Sequence, residues 1–339
     1  MTTSSTRGRR TPPKTWSLLG DVKRRPSIYE VTAAKFVYHF RREPAPFEMD
    51  PQAPINLWYL RNREGSPFNV EDWEGFRDPA KLTYSDYVTL QHERETYLDL
   101  LIDHHEEAGS VAALDPAWVD TLGRLMVPLR FPLHVLQMTA LYVAQMAPSA
   151  FIVNCSDFQA ADELRRIQRL AYVTRLLADA HGEQLGSTAA ARDPWQSGAS
   201  WQPLREVCER MLGVHDWGEA FAVLNLALKP ALDAVVDDRL AALAQEHDDE
   251  FGSLLLAEFQ RDARRSRDWT AELVRYALQQ DGALADVLHG WLSVWAPRAD
   301  AGIAGLEQVF ATAPRPPAAG EVTAAATQAR AALLQACGL

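Results

Sequence analysis

The sequence predicts an all-α protein, a bundle of long helices behind an N-terminal segment of a different kind. Three observations carry this. Residues 154–172 (NCSDFQAADELRRIQRLAY) hold no Gly or Pro and space Ala160, Ile167, Leu170 and Ala171 along one helix face. From Tyr84 onward most of the chain repeats such apolar periodicity between turn signals. Finally, ADELRR (161–166) is echoed by QRDARR (260–265), with Glu163 and Asp262 99 residues apart and each preceded by a long apolar helix. Two helix pairs of a pseudo-symmetric bundle leave such a trace.

Taken in order, residues 1–80 promise little helix. Prolines at 12, 13, 26, 44, 46, 51, 54, 67 and 79 break each candidate run. Disordered segments are poor in aromatics, yet Trp16, Tyr29, Phe36, Trp58, Tyr59, Phe68, Trp73 and Phe76 punctuate this one. It therefore reads as an ordered arm packed on the rest of the chain or on another chain. VTAAKFVYHF (31–40) reads as a short strand or an extended piece facing a partner. Arg7, Arg9, Arg10, Lys14, Lys23, Arg24 and Arg25 crowd the first 25 residues, either as a solvated arm or as one lying on an acidic subunit. The candidate subunit contacts are Arg9, Arg10, Trp16, Arg24, Arg25, Tyr29, Trp58, Tyr59 and Trp73, because large aromatics anchor interfaces.

Tyr84 to about Glu107 reads as the first long helix. Asp115-Pro116 is an N-cap followed by Pro at the first helical position. Pro128 and Pro132 interrupt that helix before HVLQMTALYVAQMA, which is apolar all round and so expected to be buried. Pro148 leads into the central helix, which should stop near His181-Gly182. Residues 182–203 read as the connection between two halves, about 81–182 and 200–300. Trp201 to Leu212 is a helix, and Asp216 caps the next, in which Pro230 should place a kink. A further helix follows Asp248, and another spans Ala283–Trp295. The Ala/Pro-rich tail, 301–339, reads as weak helix or disorder.

Composition narrows the function. At 339 residues, 47% hydrophobic and 23% charged, the chain can bury a large core as a soluble protein. A net charge of −11 argues against a nucleic-acid surface, and no apolar run approaches the ~18 residues of a membrane span. The basic N-terminus lacks the apolar core of a secretory signal, so a cytoplasmic location is expected. Cys155, Cys208 and Cys337 have neither disulfide-framework nor zinc spacing. Nucleotide-binding glycine loops and a G-x-S-x-G elbow are absent. Asp103-His104-His105-Glu106-Glu107 points round a helix rather than into one site.

The candidate chemistry lies at Glu163. On a helical wheel it falls between Ile167 and Leu170, inside the apolar stripe, with Arg166 at the edge. A buried charge is costly unless something satisfies it. Glu-x-x-His at this place would be half of a carboxylate-bridged di-iron site, but Arg stands where His should be. No His in the chain has a Glu three residues before it; only His289 has an acid there, Asp286. Guanidinium has no lone pair for iron. The positions Glu163, Arg166, Asp262 and Arg265 share an acid–x–x–Arg pattern. Their expected arrangement is a cross-bundle network pairing Glu163 with Arg265 and Asp262 with Arg166; otherwise they are surface i,i+3 pairs.

Several long stretches together resemble one family. KTWSLLG (14–20), RRPSIYEV (24–31), PINLWYLRNREGSP (54–67), DWEGFRDPAKLTYSDYVTLQ (72–91), VPLRFPLHVLQMTALYVAQMAPSAFIVNC (127–155), ADELRR and DWGEAFAVLNLALKP (216–230) keep their order. They resemble the β subunit of the hydroxylase component of soluble di-iron multicomponent monooxygenases, in the toluene/alkene/isoprene branch. The resemblance implies a ferritin-like, ribonucleotide-reductase-like helical bundle with an extended arm. It implies an α2β2γ2 hydroxylase in which a catalytic α subunit holds the di-iron centre, beside a small γ subunit. An effector protein, a Rieske-type ferredoxin and an NADH reductase would be transient partners. The α pattern would place Glu-x-x-His at Glu163–Arg166 and Asp262–Arg265, which the resemblance thus implies to be a degenerate metal site, and its lone Glu ligands near Leu133–His134 and Leu228–Lys229, where no carboxylate stands.

The expected function is therefore a non-catalytic structural β subunit. It would scaffold the α subunit of a complex that oxidises small aromatic, alkene or isoprene hydrocarbons with O2 and NADH electrons. No cofactor is expected in this chain, and neither nucleic acid nor membrane as a partner. The alternative is a stand-alone ferritin-like oxidase with an unusual metal site.

Overall fold

The computed structural model describes residues 27–33 and 52–339. Within the N-terminal segment, Ile28–Ala33 form a short helix, α1, and Pro54–Tyr59 form α2, continued by a π turn over Leu60–Glu64. Part of the piece expected to be strand or extended, 31–33, is thus helical, and 34–40 lies outside the described residues. Pro54 opens α2 rather than breaking it, since the first N–H of a helix has no acceptor to lose.

This segment packs on the bundle through its aromatics. Tyr29 is buried with its ring 5.6 Å from Phe151, and its hydroxyl accepts from the Asp78 amide at 3.3 Å. Arg77 reaches Glu30 at 3.3 Å and lies over the Phe151 ring at 3.9 Å. Phe68, Trp73 and Phe76 are buried, and Trp73 meets Trp217 edge-on at 5.2 Å. Tyr29 and Trp73, two of the candidate subunit contacts, are each buried against rings of this chain.

The bundle begins at Tyr84–Glu107, α3. Thr83 and Asp86 cap it reciprocally, each side chain accepting the other's amide at 3.2 Å. Asp115 caps Pro116–Leu125, α4, by accepting from the Ala117 amide at 2.8 Å. Pro128 lies in a 3-10 turn before Arg130–Met146, α5. Ser149 caps Ala150–His181, α6, which at 32 residues contains the whole central stretch and stops at Gly182, whose φ of +134° a side chain would resist. The connection after it is more ordered than an open linker: it holds Thr188–Ser197, α7, with Pro194 inside. Gln202–Met211, α8, leads to a helix running from Trp217 to Glu246.

That last helix alternates. Trp217–Ala222, α9, passes into a π turn over Val223–Leu228; Lys229–Asp233, α10, passes into a second over Ala234–Arg239; Leu240–Glu246 is α11. The disturbance expected at Pro230 takes the form of the widened turn just before it. Gly218 lets α9 sit against the 66–68 segment, because a Cβ there would lie 2.6 Å from the Phe68 Cβ.

Glu250–Gln280, α12, and Leu284–Phe310, α13, complete the main core, and Glu321–Cys337, α14, packs over α10, α12 and α13. Two expectations fail here. α13 does not end near Trp295 but runs through Pro297, because Leu288, Leu292, Trp295, Ala299, Ile303 and Leu306 continue one buried face across it. The tail is not weak helix or disorder: Val322, Ala326, Leu333 and Cys337 of α14 are buried. No strand occurs among the described residues, and none of their helices is long and apolar enough to cross a membrane.

Candidate functional site: a buried ion network

α6 supplies two charged rows because consecutive residues on a helix point about 100° apart. Gln159, Glu163 and Arg166 share one face; Asp162, Arg165 and Arg169 share the next. The first row meets α9–α11 and the second meets α3 and α12.

On the first side the partners are Asn225, Lys229, Asp233 and Asp237, each four residues after the last. In a pure α-helix every such step drifts by about 40°. The two π turns hold an extra residue per turn and bring the row back into line. Gln159 Nε2 donates to Asn225 Oδ1 at 2.8 Å, and Trp269 Nε1 donates to Gln159 Oε1 at 3.0 Å. One turn on, Lys229 Nζ donates to Glu163 Oε1 at 2.5 Å and to Asp233 Oδ1 at 3.1 Å. Arg166 Nη1 donates to Asp233 Oδ1 at 3.0 Å and Asp237 Oδ2 at 2.9 Å, and Arg166 Nη2 lies 3.2 Å from Glu163 Oε2. All five ionisable side chains are at least 95% buried.

The charges nearly balance. Three acids face two bases, and burial drives the Asp237 carboxyl well above the usual range, against the pull of Arg166. For Lys229 burial would favour the neutral amine, but Asp233 and Glu163 outweigh it and hold the ammonium form. The same two cations hold Asp233 ionised despite its burial, with its carboxyl below the usual range.

The second row makes a separate cluster. Asp162 Oδ1 accepts from Tyr87 Oη at 2.8 Å and Gln91 Nε2 at 2.7 Å, and Asp162 also pairs with Arg265. Asp262 takes Arg165 Nη1 at 2.8 Å, Arg265 Nη2 at 3.0 Å and Gln91 Nε2 at 3.0 Å, together with Arg94. Arg165 and Arg169 both bind Glu95 of α3. Burial and the neighbouring Asp262 push Asp162 up to about 7, against the pull of Arg265.

Glu163, Arg166, Asp262 and Arg265 are therefore largely buried, but they are not one network. The expected pairs Glu163–Arg265 and Asp262–Arg166 do not form. Asp262 and Arg265 face the Asp162 side of α6, while Glu163 and Arg166 face the other. Lys229, Asp233, Asp237, Asp162, Arg165 and Arg94 were not anticipated. The four-residue row of polar residues in the otherwise apolar VLNLALKPALDAVVDD was the signal available for three of them. Trp58, 36% exposed, lies against the His215 ring at 4.8 Å, and Tyr59 is half-buried. Arg9, Arg10, Trp16, Arg24 and Arg25 lie outside the described residues.

The donor set does not suit iron. An ammonium and a guanidinium stand among the carboxylates, and neither offers a lone pair. A cation placed beside Glu163 and Asp233 would have to displace Lys229. What the arrangement can do is join α6 to α10 by charge-assisted hydrogen bonds in fixed register.

Comparison with known proteins gives a consistent picture. The family described as Methane/Phenol/Alkene Hydroxylase matches residues 58–281. The hydroxylase component subunit beta of the toluene-4-monooxygenase system of Ectopseudomonas mendocina is 36% identical over 85% of this chain and 88% of its own length. The oxygenase component DmpL of phenol 2-monooxygenase from Pseudomonas sp. strain CF600 is 27% identical over 75% and 80%. Among solved structures, a chain of toluene 4-monooxygenase with toluene in its resting active site superposes with a TM-score of 0.80, at 36% identity, covering 89% of this chain and 99% of that one. A chain of xenon-pressurised phenol hydroxylase from Pseudomonas sp. OX1 gives a TM-score of 0.64 at 23% identity, a likeness of fold.

Proposed function

The chain belongs to the methane, phenol and alkene hydroxylase family, and we propose that it serves there as the structural β subunit of a di-iron monooxygenase hydroxylase. The observation that carries this is the replacement of ligand chemistry by Lys229 and Arg166 inside a bundle of the hydroxylase fold. The ion network keeps α6 and α10 at a fixed spacing without a metal. In this reading the di-iron centre belongs to a catalytic α subunit, which this chain scaffolds within an α2β2γ2 assembly. The complex works in the cytoplasm, where an effector protein, a Rieske-type ferredoxin and an NADH reductase take turns on it. The substrate is a small aromatic, alkene or isoprene hydrocarbon, oxidised with O2.

The partner surface is the N-terminal arm, 1–80, together with apolar residues that this chain leaves uncovered. Ile55, Leu57, Trp58 and Leu60 stand exposed on α2 and its π turn, and α3 exposes Tyr84, Val88, Tyr97 and Leu100. Apolar surface of this extent on helices fits a partner chain. The bundle, in two halves of about 81–182 and 200–300, is extended by α14 within the 301–339 segment.

The test is coexpression with a catalytic chain carrying two Glu-x-x-His motifs. Glu163→Gln and Asp262→Asn should leave the iron content of the purified hydroxylase unchanged, and deletion of residues 1–50 should abolish copurification. Iron lost in step with either carboxylate substitution would overturn the reading, as would normal assembly of the truncated chain.

A further inference from the structure

His247 closes the turn between α11 and α12, and its two ring nitrogens have fixed and opposite duties. Nδ1 lies 2.8 Å from the Leu243 carbonyl, which can only accept, so Nδ1 carries the proton. Nε2 lies 3.0 Å from the Arg315 amide, which can only donate, so Nε2 is bare. The two contacts together require the neutral imidazole. The ring is 5% exposed and stacked on Trp118, centroids 4.3 Å apart and planes 12° apart.

Arg315 belongs to the connection between α13 and α14, and its amide bond to His247 ties that connection to the α11–α12 turn. The place where they meet borders a cleft of about 540 Å3, lined also by Ser110, Asp115, Asp248 and Pro314. The charged and titratable groups around the ring come from every neighbouring element. α4 brings Asp115 at its start, and its Trp118 Nε1 donates to Asp249 Oδ2 at 3.0 Å. The turn itself brings Asp248, at a φ of +59°, and Asp249. α3 brings His105, whose Nδ1 lies 2.9 Å from Ser110 Oγ. The connection brings the Arg315 guanidinium, 3.1 Å from Asp248 Oδ2.

We propose that His247 is an acid-sensitive latch on the α13–α14 connection. A second proton on the ring turns Nε2 from acceptor to donor, and two N–H groups then face each other. The Arg315 backbone withdraws. Asp115 and Asp248 share the cleft with the ring and Asp249 lies two residues on, three carboxylates against one guanidinium, so the surroundings of the open form favour a positive charge. Of the side chains, histidine is the one whose charge ordinarily changes between about pH 5 and 8. Opening loosens the connection at Arg315, while the start of α14 stays held by Glu321 with the Ala318 amide and Arg239, by Glu307 with the Gly320 amide and by buried Val322.

Amide hydrogen exchange on the intact hydroxylase complex tests this, at about pH 7.5 and about pH 5.5 with intrinsic rates corrected. In the natural chain, protection of the Arg315 amide should fall at least about tenfold at the lower pH. His247→Gln offers a donor and an acceptor but no titration, and should keep its protection at both pH values. Asp248→Asn removes one of the three carboxylates and should lower the pH at which protection is lost. Equal protection at both pH values in the natural chain overturns the proposal whatever the variants do. The same acid-dependent loss in His247→Gln overturns it too, as does an unshifted transition in Asp248→Asn.

Discussion

Replacing Lys229 by Met should destabilise the folded chain by about 3–5 kcal/mol, as removal of one partner from a buried ion pair does. Lys229 Nζ is bound to both Glu163 and Asp233, and each of these carboxylates is 1–2% exposed. Without the ammonium, Arg166 alone would face Glu163, Asp233 and Asp237. Met keeps the length and apolar stem of Lys, so the loss reports the charge rather than a cavity. A second arm separates stability from register. Lys229→Met combined with Glu163→Leu and Asp233→Asn removes most of the stranded charge and should recover a large part of the loss. Thermal and denaturant midpoints of the assembled hydroxylase measure both. A loss below about 1 kcal/mol in the single variant would show that the network is not a closed, desolvated unit.

Trp217→Ala should cost about 3–5 kcal/mol, the usual range for deleting a fully buried large aromatic. Trp217 lies 5.6 Å from Phe68 and 5.2 Å from Trp73, and Phe221 beside it continues to Trp269 at 5.5 Å. It therefore joins the N-terminal segment to the bundle. Among the described residues its indole N–H has no hydrogen-bond partner, so shape and area carry its contribution. Trp217→Phe should accordingly cost less than Trp217→Ala, because it keeps one aromatic ring and leaves the smaller cavity. Limited proteolysis adds a local readout. In Trp217→Ala, cleavage near residues 64–80 should appear before cleavage in α6 or α12; uniform resistance would mean that the segment is held elsewhere.

The two residues illustrate different degrees of legibility. Trp217 follows Asp216, whose side chain caps α9 by accepting from the Glu219 amide at 3.0 Å, and both features were readable as a helix start. Local rules of this kind placed α3, α4 and the end of α6 closely, because capping and glycine termination act within a few residues. They misplaced the end of α13 and the state of 301–339. Pro297 and the Ala/Pro-rich composition speak against helix locally, whereas the buried faces of α13 and α14 are contacts between distant segments.

The charged interior shows the same division. From sequence alone, the helix holding Glu163 and Arg166 was legible, as was its lack of a histidine ligand and the echo at Asp262 and Arg265. These follow from residue identity and from a period of 3.6, which any single helix carries within itself. Which acid meets which base depended on the azimuth of one helix against another. Asp162 and Glu163 are neighbours in the chain, yet they belong to separate clusters about 100° apart on α6. Lys229 became the counter-ion of Glu163 only because two π turns keep Asn225, Lys229, Asp233 and Asp237 in one row facing α6. Pairing across helices is set by packing, which no local pattern encodes, so the tertiary structure alone decided what fills the centre of the bundle.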